Sequence, residues 1–176
     1  MLIEDMPINN VEWVDVNKLD ANSYNPNVVL NAEMELLKLS ILKNGWIQPI
    51  LVNQDYIIID GFHRASLAMS SESVNELTNG KVPCVVMNLS EPERMMLTIR
   101  INRAKGNHVA IKMSDIVHTL VYDYGISPEE VGRQIGAELD EIELLLRDNV
   151  FQKYNLKKTT KYSQAWIPRD NRKKKH

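Results

Sequence analysis

Apolar residues recur along this chain at two periods; both occur up to about residue 90, and only the helical one continues beyond it. Residues 11–19 read as a short strand with Val11, Trp13 and Asp15 on one face, closed by the turn-rich stretch 22–27. Glu33 to Asn44 carries Met34, Leu37 and Ile41 on one helical stripe and Leu36, Leu39 and Leu42 on another, and Gly45 supplies the stop. Ile47–Asn53 reads as a strand, with Tyr56–Ile59 as its hairpin partner across Gln54-Asp55. A helix over His63–Met69 follows Asp60-Gly61 directly, and Val82–Met87 is a further strand, expected to break at its front at Pro83. Short strands alternating with helices predict an α+β fold, a small mixed sheet occupying residues 1–98.

Beyond Ser90 the pattern is helical only. Ser90 and Glu93 make a capping box with Pro92 in the first turn, and the helix runs towards Arg103. Ser114 to Tyr124 follows with Ile116, Val117, Leu120 and Val121 inward, and ends at Gly125. Ser127 and Glu130 form a second capping box, opening a helix that stops at Gly136. A last helix from about Glu138 to Arg147 directs Leu139, Ile142, Leu145 and Leu146 inward. Two short helices around a glycine turn read as a helix-turn-helix or a plain helical hairpin. The helical domain is thus 99–150, and 151–176 is a tail.

Charge separates that tail from the body. Nine of the 21 basic side chains, but one of the 23 acids, lie beyond residue 150, so the body carries about −10 and the tail about +8. Lys153, Lys157, Lys158, Lys161, Lys173 and Lys174 are the candidate nucleic-acid contacts, with Tyr154, Tyr162 and Trp166 available for stacking. The longest apolar runs are too short to cross a bilayer, and no charged-then-apolar leader opens the chain, so a cytoplasmic location is expected. Cys84 alone excludes an internal disulfide and a cysteine-based zinc site.

Chemistry concentrates at Asp60-Gly61-Phe62-His63-Arg64-Ala65, where a strand turns into a helix. Gly61 permits a tight turn, and the helix start offers N–H groups and the positive end of its dipole, beside His63 and Arg64. The alternative is that Asp60 only caps the helix. A second cluster, Arg100 to His108, joins four cations and two asparagines at the domain boundary; its alternative is a solvated basic face. Gln48, in Gly45-Trp46-Ile47-Gln48-Pro49, is a third candidate for contact with a base or sugar. Neither a phosphate-binding loop nor a dinucleotide fingerprint is present.

Taken in order, these elements resemble the ParB/sulfiredoxin superfamily over roughly residues 11–148. Val14 to Pro26 is similar to the family's first strand and Asn-Pro turn, and Gly45-Trp46-Ile47-Gln48-Pro49-Ile50 to its Gly-x-x-Gln-Pro segment. Asp60 to Ala65 stands in place of the Gly-Glu-Arg-Arg box that cradles a nucleotide triphosphate in the chromosome-partitioning members. Asn102-Arg103 stands in place of Glu-Asn-x-x-Arg. The resemblance implies that CTP or ATP, with Mg²⁺ as candidate metal, is held by Gln48, Gly61, His63, Arg64, Ala65, Asn102 and Arg103.

Departures from the family narrow the activity. Phe62 replaces the cysteine that sulfiredoxin requires, which excludes that reaction. Ile101 replaces the family's metal-ligating glutamate, and Ala21–Asn25 lacks the catalytic glutamate of the serine-kinase branch. Positions that face DNA in ParB are Glu138, Asp140, Glu141 and Glu143, which a duplex repels. The expected function is a nucleotide-binding regulator with little turnover, acting on DNA through the tail or on a partner protein. The likeness to short ParB-like proteins of phages and mobile elements points to a phosphoadenosine-phosphosulfate-reductase-like partner. The helical part is a candidate homodimer surface. The competing expectation is a phosphotransferase, nucleotide hydrolase or nuclease, with Asp60 and His63 catalytic and Arg64 and Arg103 on the phosphates.

Overall fold

The computed structural model describes residues 2–21, 31–105 and 110–147; the turn 22–27, the end of the Arg100–His108 cluster and the tail with its six candidate lysines lie outside them. The chain divides between Thr98 and Ile99 into two compact units. In chain order the elements are β1 (Val11–Asp15), α1 (Asn31–Asn44), β2 (Ile50–Asn53), β3 (Ile58–Asp60), α2 (Phe62–Ser70), α3 (Glu72–Leu77), β4 (Lys81–Met87) and α4 (Glu91–Ala104), the last crossing the division. Then come α5 (Ala110–His118), prolonged by a π-helical turn over Thr119–Asp123, α6 (Pro128–Ile135) and α7 (Leu139–Leu146). The fold is α+β.

Four strands form one mixed sheet in the order β1-β4-β2-β3. β4 runs antiparallel to β1 and parallel to β2, while β2 and β3 make an antiparallel hairpin. A parallel pair needs a long connection; here α2 and α3 supply it, packed on the sheet. The core joins Val14, Val16, Ile50, Val52, Ile58, Val82 and Cys84 to Ile41 of α1, Ala65, Leu67 and Ala68 of α2 and Val74 of α3. Each large side chain removed from water there contributes about 1.5–3 kcal/mol.

Three strand expectations are corrected. Of the two faces of β1, the one with Val11 and Trp13 is exposed, and Val14, opposite Val82, enters the core. A shift of one residue exchanges the faces of a strand, and mixed polarity on 11–19 left the choice open. The strand also ends early, because the Asp15 carboxylate accepts the Asn17 N–H at 2.9 Å and turns the chain. β2 begins at Ile50 rather than Ile47, which is exposed. Finally, Pro83 does not break β4. It sits one residue ahead of Cys84, the first partner of β2, so its missing N–H costs that ladder nothing. Helix α3, unforeseen, is tied back by the Asn75 amide donating to the Ala68 carbonyl at 3.0 Å.

The two capping boxes each work in one direction. Ser127 accepts the Glu130 N–H at 3.2 Å, while the Glu130 carboxylate turns to Arg133 and Gln134. At α4 the Glu93 carboxylate accepts from the Ser90 N–H and hydroxyl, at 2.8 and 2.6 Å. Those two bonds hold the Glu93 carboxyl below its ordinary range.

In the second unit Ile116, Val117, Leu120, Val131, Ile135, Ile142 and Leu145 are buried. Leu139, expected inward, is exposed at the first residue of α7, and Leu146 is half-buried. Gly132 sits where a Cβ would lie 2.9 Å from the Ala137 carbonyl oxygen, so α6 and the turn after it meet backbone to backbone. The buried Ser114 hydroxyl donates to the Leu145 carbonyl, linking α5 to α7.

Candidate functional site

β3 ends at Asp60 and α2 begins at Phe62, leaving Gly61 alone to turn the chain. Its φ is +97°, and a Cβ there would lie 3.0 Å from Arg64 Nη2 and 3.3 Å from the Ile50 Cα. The positive φ favours glycine, and the space is tight for any Cβ. Gly61 is itself the N-cap, its carbonyl accepting the Ala65 N–H at 3.0 Å. Asp60 is therefore not the cap; its carboxylate faces Arg64 Nη2 at 3.2 Å.

Arg64 is the centre of the junction. Its Nη1 donates to the carbonyls of Gln48 and Pro49 at 2.7 and 2.8 Å. Burial lowers the pKa of this guanidinium, and Asp60 offsets part of that; an arginine stays charged through such a shift. One cation thus binds the lead-in of β2 to the start of α2. Gln48, Asp60, Gly61 and Arg64 come together around it, with Ala65 buried beneath. His63 is half-buried, edge-on to Phe62 with centroids 5.9 Å apart. The first-turn amides of a helix have no carbonyl one turn back, and its dipole favours an anion there. This junction is suited to a phosphate.

Asn102 and Arg103 belong to the second unit, at the end of α4. Arg103 grips the Glu141 carboxylate with both terminal nitrogens, at 2.6 and 3.3 Å, and donates to the Gly136 carbonyl at 3.0 Å. Arg100 reaches Gln134 at 3.4 Å, and Asn102 is buried. Arg103 is thus tied into the helical unit, while Arg100 stays exposed. Glu141, read as DNA-facing, is half-buried and paired, whereas Glu138, Asp140 and Glu143 are exposed.

Sequence reasoning missed two partnerships, Arg64 with the Gln48 and Pro49 carbonyls and Arg103 with Glu141. They span 15 to 38 residues, and no local pattern signals them. Cys84 behaves as expected for an inert thiol: burial, with a smaller contribution from Glu12, pushes it up to about 12. Among the described residues no three His, Cys, Asp or Glu side chains converge as a metal site, and no helix is long and apolar enough to cross a membrane.

Residues 3–103 match the model of the ParB N-terminal domain, and the chain belongs to that family. It is 35% identical to the uncharacterised protein YbdM of Escherichia coli over 91% of this chain and 77% of that protein. It is 26% identical to the nucleoid occlusion protein of Bacillus mycoides over 92% of this chain but 57% of that protein. Among solved structures, the C-terminally truncated chromosome-partitioning protein ParB of Caulobacter crescentus, complexed to the centromeric parS site, aligns with TM-score 0.52 and 20% identity over 83% of this chain and 78% of that one. The same protein complexed with CTP-γ-S aligns with TM-score 0.46 and 21% identity, over 84% of this chain and 85% of that one.

Proposed function

We propose that this chain is a nucleotide-binding ParB-like regulator that acts on DNA or a partner protein, with little or no turnover. The β3–α2 junction carries this reading. Gly61 leaves the backbone bare where a Cβ would stand, α2 presents its first turn, and Arg64 fixes the Gln48–Pro49 segment alongside. Phosphates fit the start of α2, with the His63 side chain as an added donor and Gln48 towards the base or sugar. Arg64 acts as a positioning residue. Arg103 already has Glu141 and Gly136 as partners, so the reading rests on the first unit alone.

The residues present favour low turnover. Asp60, read as a candidate base, is held by Arg64, and Ile101 stands where the family's metal-binding glutamate would be. A single carboxylate already paired with Arg64 does not fit Mg²⁺. For DNA, the exposed carboxylates of α7 repel phosphates, so attraction falls to Lys153, Lys157, Lys158, Lys161, Lys173 and Lys174 of the tail.

A thermal-shift series with CTP, ATP, GTP and ADP tests the reading. A ligand that binds only the folded state stabilises by about 2.7 kcal/mol at a hundredfold excess over its dissociation constant. One nucleotide is expected to raise the melting temperature, and His63→Ala to reduce that rise, each variant being compared with its own ligand-free melt. No rise with any of the four would overturn it.

A further inference from the structure

α1 buries one stripe and exposes another. Met34, Leu37 and Ile41 pack on the core, while Leu36, Leu39 and Leu42 are 67%, 47% and 39% exposed. A single exposed leucine is ordinary, but an apolar stripe on the outer face of a surface helix, where polar residues belong, marks an interaction surface. At about 100° per residue, Glu35, Leu36, Leu39, Leu42 and Lys43 all fall within about 60° of the direction of Leu39. Glu35 and Lys43 are exposed on the same face.

The order of these five residues identifies the occupant. Leu36 and Leu42 stand three residues before and after Leu39, and Glu35 and Lys43 stand four before and after it. The stripe reads the same from either end, with the charge reversed. Such a surface complements itself about a two-fold axis through Leu39. In an antiparallel pair Leu39 meets Leu39, Leu36 meets Leu42, and each Glu35 lies level with a Lys43. A parallel pair sets Glu35 beside Glu35 and Lys43 beside Lys43, which is repulsive.

We propose that α1 is a self-association helix, through which two copies of this chain pair antiparallel along Leu36, Leu39 and Leu42. The pairing is independent of the nucleotide site. One helix against one helix falls at the small end of interfaces, below about 1,200 Å², so the dimer is weak and concentration-dependent.

Sedimentation velocity of the full chain at rising concentration and low salt reads the equilibrium. The wild-type chain is expected to shift from monomer to dimer. Leu39→Glu places two carboxylates on the two-fold axis and raises the dissociation constant at least tenfold, with the melting temperature unchanged. Glu35→Lys and Lys43→Glu each weaken the dimer, and combining them restores it, because the swapped charges again face each other. A chain that stays monomeric overturns the proposal and leaves the stripe to a different partner. A dimer indifferent to Leu39→Glu overturns it too, since association then uses another surface. Failure of the double variant to recover what the single ones lose overturns the antiparallel register.

Discussion

Gly61 is the residue on which the junction depends, because its positive φ favours glycine and a Cβ would crowd Arg64 and Ile50. Gly61→Ala is expected to cost about 1–3 kcal/mol, through the positive φ and the contacts with Arg64 and Ile50. Thermal melts would show this as a drop of several degrees; an unchanged melting temperature would show that the turn relaxes freely. Cys84 makes an opposite case, a reactive residue type made inert by its place. Its thiol is expected to resist alkylation in the folded protein at pH 8 and to react once denatured, which mass spectrometry of both samples would register. Residue types announced both outcomes. What they did not announce is that Arg64 would spend its hydrogen bonds on the carbonyls of Gln48 and Pro49, since that requires β2 and α2 to be side by side.

At the level of elements, the start of α4 has a readable pH dependence. The Glu93 carboxyl has a lower pKa folded than unfolded, so its contribution is complete above its ordinary value of about 4.5 and is lost as the pH falls through the folded value. The stability difference between wild type and Glu93→Ala, measured by urea unfolding, should therefore be present at pH 7 and shrink below about pH 4.5. Arg103 and Glu141 join α4 to the start of α7, and a double-mutant cycle on this half-exposed pair is expected to give a coupling of about 0.5–1 kcal/mol. Helix positions were largely evident from the sequence, because 3.6-residue spacing and the stops at Gly45, Gly125 and Gly136 are local signals. Strand faces were not: with Val11, Trp13, Val14 and Val16 all apolar, only pairing with β4 decides which go inside. The candidate site followed the same division, its β3–Gly61–α2 turn visible in advance and the commitment of Arg103 to Glu141 hidden until the helices were assembled.

For the molecule as a whole, the uneven charge is the property to test. Removing residues 151–176 is expected to abolish most DNA binding, and the intact chain should lose affinity steeply with salt, log K falling by about 0.9 per phosphate contact for each unit of log salt. Fluorescence anisotropy with a labelled duplex measures both, and a truncated chain that binds as well as the full one would place DNA elsewhere. The sheet order has a bearing on time. β1 is made first, yet its pairing partner β4 begins at Lys81, 66 residues after Asp15, and β2 waits for the same strand. At synthesis rates of about 5–20 residues per second, β1 remains unpaired on the ribosome for about 3–13 s. During that interval Val11, Trp13, Val14 and Val16 lack the strand they pair beside, which makes β1 the strand most in need of protection while the sheet is being synthesised.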